Sequence, residues 1–368
     1  MRSFGRALTV VCECLRSNAG DRSPGSRPRA SDWTAALEFA NRHWITSAIY
    51  AELRDSGALN DVPGDVADYL GLVHRLNGER NHALRRQSAE LLRALSGTGI
   101  RPMLLKGALA LFTDLYRDPA ARMIRDIDVL VPRGSEDEAA AALHRLGYRL
   151  ATKYEEGHNA YGDFERPNDP GAVDLHVELI ETSHLLPAAE VWSRARRGVH
   201  VDCEFYAPSA TDAMLHHLLH AQIHYLGNFY RGVIELRQVY EFAQLVRQQA
   251  GIDWAEVESR FDRDGLRLAL ESYALTAGKL FDVPWPLSRP PSWRAVAHCR
   301  RCLVQTRIPA LMWASVPLAN IRSAFAGHRM RNLYAREGSQ MALTLRHAVQ
   351  FLKKRTPHHA IGRLFRVQ

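Results

Sequence analysis

The chain has 368 residues, 46% hydrophobic and 24% charged, enough to bury a core in two or three packed units. It has no run of about 18 uncharged apolar residues, so no spanning helix is expected, and five cysteines at irregular spacing exclude a disulfide framework and fit a reducing cytoplasm. The formal charge of +8 is uneven: beyond Asp282 fifteen Lys or Arg stand against Glu337 alone, so the excess belongs to the C-terminal quarter, whether as a solvated face or as a surface for nucleic acid, anionic lipid or polyphosphate.

Ala7 to Cys14 is apolar but short, is interrupted by Glu13 and precedes no small-residue cleavage site, so it is not read as a signal peptide. Residues 17–30 are rich in Ser, Gly, Pro and Arg, which makes 1–30 a flexible N-terminal segment. A helix through His43 with Ser31 as N-cap, and a long helical period from Val66 to Leu95, make 31–97 a helical unit. The pattern then changes. Short apolar runs at Pro102–Leu105, Ile127–Val131, Tyr148–Leu150 and Val173–Leu179 predict strands, with helices near 107–116 and 135–146 between them. From 209 onward helical periodicity returns, near 210–225, 231–250, 253–263, 265–281 and beyond 291. The expected class is α+β: a small mixed sheet over 98–208 between helical N- and C-terminal units, the latter (209–368) ending in the basic tail.

Asp126-Ile127-Asp128-Val129-Leu130-Val131 alternates, so on a strand Asp126 and Asp128 share one face and Ile127, Val129 and Val131 the other. Two adjacent carboxylates repel each other unless cations offset them, and oxygen ligands at that spacing suit Mg²⁺ or Mn²⁺. Upstream, Lys106-Gly107 stands where a strand runs into a helix, a turn that lets backbone and an ammonium approach phosphate. Arg122 and Arg125 add candidate phosphate partners. Downstream, Val173-Asp174-Leu175-His176-Val177-Glu178 alternates again and puts Asp174, His176 and Glu178 on one face, supplying a third carboxylate.

The order Leu104-Leu105-Lys106-Gly107, then Tyr116, Asp118-Pro119 and Arg122 ahead of Asp126-Ile127-Asp128, then Gly147-Tyr148 and Val173-Asp174-Leu175-His176, resembles a family of uncharacterised bacterial nucleotidyltransferases of the polymerase-beta-like superfamily. The resemblance covers about residues 98–180. It implies Gly107 in a phosphate turn, Asp126 and Asp128 as metal ligands and Asp174 as third carboxylate. Where the superfamily usually has Gly-Ser or Gly-Gly, this chain has Lys106-Gly107-Ala108, and Lys106 is the candidate substitute for the missing hydroxyl.

The expected reaction is transfer of a nucleotidyl group from a nucleoside triphosphate to a hydroxyl or phosphate of an acceptor: a small molecule, glycan or peptide. Asp126, Asp128 and Asp174 are the catalytic and metal residues; Lys106, Gly107, Arg122, Arg125 and His176 are the nucleotide-binding ones. The alternatives are a non-catalytic nucleotide-binding module and a transferase using a nucleotide-sugar donor. Nucleic acid is disfavoured as acceptor, because no aromatic RNA-binding pattern or zinc-finger spacing is present. His216, His220 and His224 lie at helical spacing on one face, either toward the cleft or bonded within the helical unit. Cys299 and Cys302 read as two cysteines on one helical face, and the apolar stretch Ile308–Phe325 as core or as an anionic-membrane surface.

Overall fold

A computed structural model describes residues 2–16, 28–155, 157–200, 203–224, 227–248, 251–328 and 330. Most of the expected linker (17–27) and of the basic tail (331–368) lie outside the described residues. Where a flexible start was expected the chain forms the helix α1 (Arg2–Cys14), whose Ala7, Leu8, Val10 and Val11 are buried in the core; α2 (Ala30–Arg42), α3 (Thr46–Asp55) and α4 (Gly64–Gly97) follow. The first residue of α2 is Ala30, not the residue after Ser31: Asp32 accepts from the Arg29 N–H at 2.9 Å and fixes the entry two residues early.

The sheet region follows as β1 (Met103–Leu104), α5 (Lys106–Ala110), β2 (Asp126–Leu130), α6 (Glu136–Arg145), β3 (Arg149–Lys153), β4 (Ala160–Glu165), β5 (Ala172–His176), α7 (Ala188–Ser193), β6 (Arg196–His200) and β7 (Cys203–Ala207). Then come α8 (Ala210–Gln222), α9 (Asn228–Arg231), α10 (Leu236–Gln248), α11 (Trp254–Arg263), α12 (Arg267–Phe281), α13 (Trp293–Arg307) and α14 (Ala310–Ala324). The fold is α+β, with a seven-stranded mixed sheet in the order β3-β4-β5-β2-β1-β7-β6. Only β2–β5 and β1–β7 pair in parallel. No described helix is long and apolar enough to cross a membrane.

The alternation along the strands divides the two faces of the sheet. Ile127, Val129, Val173, Leu175 and Phe164 are fully buried and pack with Leu84, Leu91, Leu92 and Leu95 of α4 and Leu143 of α6. Each such side chain contributes roughly 1.5–3 kcal/mol of burial. Leu130 points the other way and joins Met103, Leu105, Met214 and Leu218 in the core of the helical units. The carboxylates share that second face. Gly162 has a steric cause: a Cβ there would collide with the carbonyl oxygen of Thr152, beside the register shift between Leu150 and Thr152.

α4 also carries a buried polar stripe with helical spacing, and it holds the segment leading into β2. Asn77 donates to the carbonyls of Ala120 (2.6 Å) and Arg122 (3.0 Å), and Asn81 to those of Pro119 and Arg122 (both 2.8 Å). Arg80 donates to the carbonyls of Ile124, Arg125 and Pro170. The helix expected over 107–116 ends at Ala110. Beyond it the backbone turns so that Asp118 can cap the Ala120 N–H (2.9 Å) and meet His74 (2.8 Å) and Arg54 (2.9 Å).

Candidate active site

The parallel register of β2 and β5 sets Asp126 beside Ala172, Asp128 beside Asp174 and Leu130 beside His176. Across the next, antiparallel pair, Asp163 of β4 faces Asp174. Asp128, Asp174 and Asp163 therefore form a row across three adjacent strands, perpendicular to the Asp126–Asp128 pair. The strand carrying Asp163 escaped the sequence reading, although Ala160-x-Gly162-x-Phe164 between Gly157 and Pro167 is an alternating signal. Tyr154 donates its hydroxyl to Asp163 at 2.8 Å.

Two cationic side chains close on this row. Lys106 Nζ lies 2.7 Å from Asp128 Oδ1. His176 Nε2 lies 3.1 Å from that same oxygen and 3.0 Å from Asp174 Oδ2. Lys106 is held at φ 45°, the left-handed region, where β1 turns into α5. For a non-glycine residue that conformation costs roughly 1–2 kcal/mol, offset here by the ammonium's contact with Asp128.

Burial works against every charge in this cluster, and the pairings decide which charges survive. Burial would raise the pKa of Asp128, but the Lys106 charge and the His176 hydrogen bond outweigh it and hold the carboxyl well below its usual range. Burial would lower His176, yet the Asp174 charge and the bonds to both carboxylates push it up to about 9. Lys106 is likewise raised by Asp128 against the pull of burial. Asp126 goes the other way: burial, then the charge of Asp128, raise it. A protonated His176 needs an acceptor at Nδ1. Asn159 lies 3.2 Å away, and its Oδ1 is otherwise buried without a partner, so turning the amide over satisfies both groups.

Lys106, Asp126, Asp128, Asp174 and His176 thus come together. Asp126 is the outermost, its side chain 41% exposed and 3.9 Å from the exposed Arg125 guanidinium. Arg122 lies behind the site: its Nε and Nη2 donate to Glu241 Oε2 of α10 at 3.1 and 2.7 Å, and the pair is buried. Gly107 is buried against that guanidinium, and a Cβ on it would collide with Arg122 Nη1 and touch Ile124. Its missing side chain makes room for the Arg122–Glu241 pair. Glu178, expected on the Asp174 face, falls beyond the end of β5 and binds Arg133 (2.8 Å) and the Ala188 N–H (3.0 Å) instead.

His216 and His220 of α8 and His224, two residues past its end, form a row, with ring centroids 6.1 Å apart for His216–His220 and 5.0 Å for His220–His224. Burial, then the nearby Lys106 charge, lower all three, His216 to about 3, so the imidazoles are neutral. His220 Nδ1 accepts from Gln238 Nε2 at 3.3 Å. Among the described residues, the His, Cys, Asp and Glu group with ligand atoms all within 4.8 Å of one another is Asp128, Asp174 and His176. The α8 histidines form no such group there, and Cys299 and Cys302 are simply buried on α13.

The family model described as "Uncharacterised nucleotidyltransferase" matches residues 29–282, from the start of α2 to the end of α12. The matched span holds every residue of the cluster. Among curated proteins none matches the chain.

Proposed function

The chain belongs to the uncharacterised nucleotidyltransferase family, and on that premise we propose that it moves a nucleotidyl group from a nucleoside triphosphate to a hydroxyl or phosphate of an acceptor, such as a small molecule, glycan or peptide. The observation that carries the reading is the convergence of Asp128, Asp174 and His176 on one point of the sheet, with Lys106 on the same carboxylate.

The donor set fits a divalent cation. Carboxylate oxygens dominate it, and Asp174 Oδ1 is buried with no hydrogen-bond partner. Asp126, Asp128 and Asp174 would hold Mg²⁺ or Mn²⁺, which supplies charge neutralisation of the triphosphate and polarisation of the phosphate under attack. Asp128, kept ionised by Lys106 and His176, is a fixed anion that needs no reorganisation on binding. Asp174 accepts the proton of the acceptor hydroxyl as that oxygen bonds the α-phosphorus and pyrophosphate leaves, and His176 holds the other carboxylate oxygen of Asp174 in place through the 3.0 Å contact. Arg125 and Lys106 bring positive charge to the phosphates at the outer and inner ends of the site.

Incubation with each labelled nucleoside triphosphate, Mg²⁺ or Mn²⁺ and a panel of hydroxylated acceptors tests the reading. Nucleotide consumption that disappears in Asp126→Asn and Asp128→Asn supports it; consumption unchanged in both refutes it. Product mass identifies the transferred group, since a nucleotidyl and a glycosyl adduct differ.

A further inference from the structure

The turn between α2 and α3 holds a tryptophan in a conformation that its side chain does not favour. Trp44 has φ 55°, in the left-handed region, where a glycine would sit without steric cost. Burial does not explain the choice. Its neighbours Phe39 and Ile45 are buried and fill the core at this turn, while Trp44 remains 39% exposed. A strained, exposed, bulky residue is a marker of function rather than of packing.

Its position says which function. The Arg125 guanidinium carbon lies 5.5 Å from the centroid of the indole ring, and the other end of the same guanidinium contact is Asp126, at 3.9 Å. An indole, a guanidinium and the outermost carboxylate of the cluster therefore follow one another at the edge of the site. A flat aromatic surface backed by a cation binds planar heterocycles by stacking and tolerates different bases, because every base has a π-face.

We infer that Trp44, supported by Arg125, is the platform on which the base of the donor nucleotide stacks, so that the N-terminal helical unit supplies part of the nucleotide site. The inference rests on the nucleotidyltransferase reading above and adds the base-binding element to it. It also separates two jobs: Lys106 and the carboxylates serve the phosphates, and Trp44 serves the base.

The test is calorimetric titration of the full-length protein, with Mg²⁺, using non-hydrolysable nucleoside triphosphate analogues and, as a base-free probe, inorganic tripolyphosphate. Trp44→Gly is the decisive variant, because glycine adopts φ 55° freely and the ring is removed without strain. Trp44→Gly is expected to keep its melting temperature, to bind the analogues about tenfold more weakly and to bind tripolyphosphate as before, while Trp44→Phe retains most of the affinity. Equal affinity of wild type and Trp44→Gly for the analogues overturns the inference. So does an equal loss for analogue and tripolyphosphate, or a melting temperature that falls together with both, since each assigns the ring a structural role. A wild-type protein that binds no nucleoside triphosphate sinks the transferase reading and this one together; one that binds them regardless of residue 44 sinks only this one.

Discussion

Arg122 and Glu241 lie 119 residues apart in sequence and meet in a buried pair, with both Nε and Nη2 donating to a single carboxylate oxygen. The pair joins the segment entering β2 to α10, so the backbone that carries Asp126 and Asp128 is braced from the C-terminal helices. Removing one partner of a buried pair leaves an uncompensated charge, at a cost of about 3–5 kcal/mol. Glu241→Ala is therefore expected to lower the urea unfolding midpoint markedly, and Glu241→Gln, which keeps an acceptor, to lower it less. An unchanged midpoint in Glu241→Ala would contradict the brace.

Gly107 depends on the same pair. An added methyl collides with Arg122 Nη1, which has no room to retreat because Glu241 holds it. Gly107→Ala should destabilise the protein by about 1–3 kcal/mol, the usual range for overpacking. The double variant Gly107→Ala, Arg122→Ala should cost less than the sum of the two single ones, because the methyl then fills space that the guanidinium vacated. Additive losses in thermal unfolding would argue against this steric account.

Lys106 stands at the centre of the site's electrostatics. Lys106→Met keeps the length of the side chain and removes the charge that holds Asp128 ionised and that, in the proposed reaction, would face the phosphates. Nucleotidyl transfer is expected to fall by about 10²–10³-fold, the loss associated with deleting one preorganised charge donor. Steady-state rates within twofold of wild type would remove Lys106 from the proposed mechanism.

Acid should destabilise the fold through two histidines outside the carboxylate cluster. Burial pushes both His43 and His298 down to about 4, His43 also under the influence of Arg42 and His298 under that of Arg301 and Arg322. The unfolded chain, with imidazoles near 6.5, takes up these protons first as the pH falls. Stability is then full above about pH 6.5 and lost progressively toward pH 4. Melting temperatures measured between pH 7.5 and 5 should decline, and the decline should shrink in His43→Gln, which keeps an acceptor for the Leu236 N–H. An identical decline in the variant would exclude His43 as a contributor.

The sequence made the second sheet face readable because strand alternation is a strong local signal. Alternation alone puts Asp126, Asp128, Asp174 and His176 on one side, and the strand-to-helix turn puts Lys106 beside them. What stayed hidden depends on pairing across long separations. Nothing local says that Arg122 would turn inward to Glu241, or that Gly107 makes room for a guanidinium. Asp163 was missed with its strand, and Trp44 because an unfavourable backbone angle leaves no trace in composition. Glu178 was misplaced because β5 ends at His176, three residues short of the expected strand end at Leu179.

The long reach of these contacts also governs when the molecule can mature. Arg80 clasps Pro170 across 90 residues, and Arg122 waits for Glu241 across a further span. On the ribosome the segment holding the aspartates therefore emerges well before the helix that braces it. Until α10 follows, an unpaired guanidinium sits where the core must close, and loops of this length are slow to shut. The brace between the segment entering β2 and α10 can therefore close only after α10 has been made.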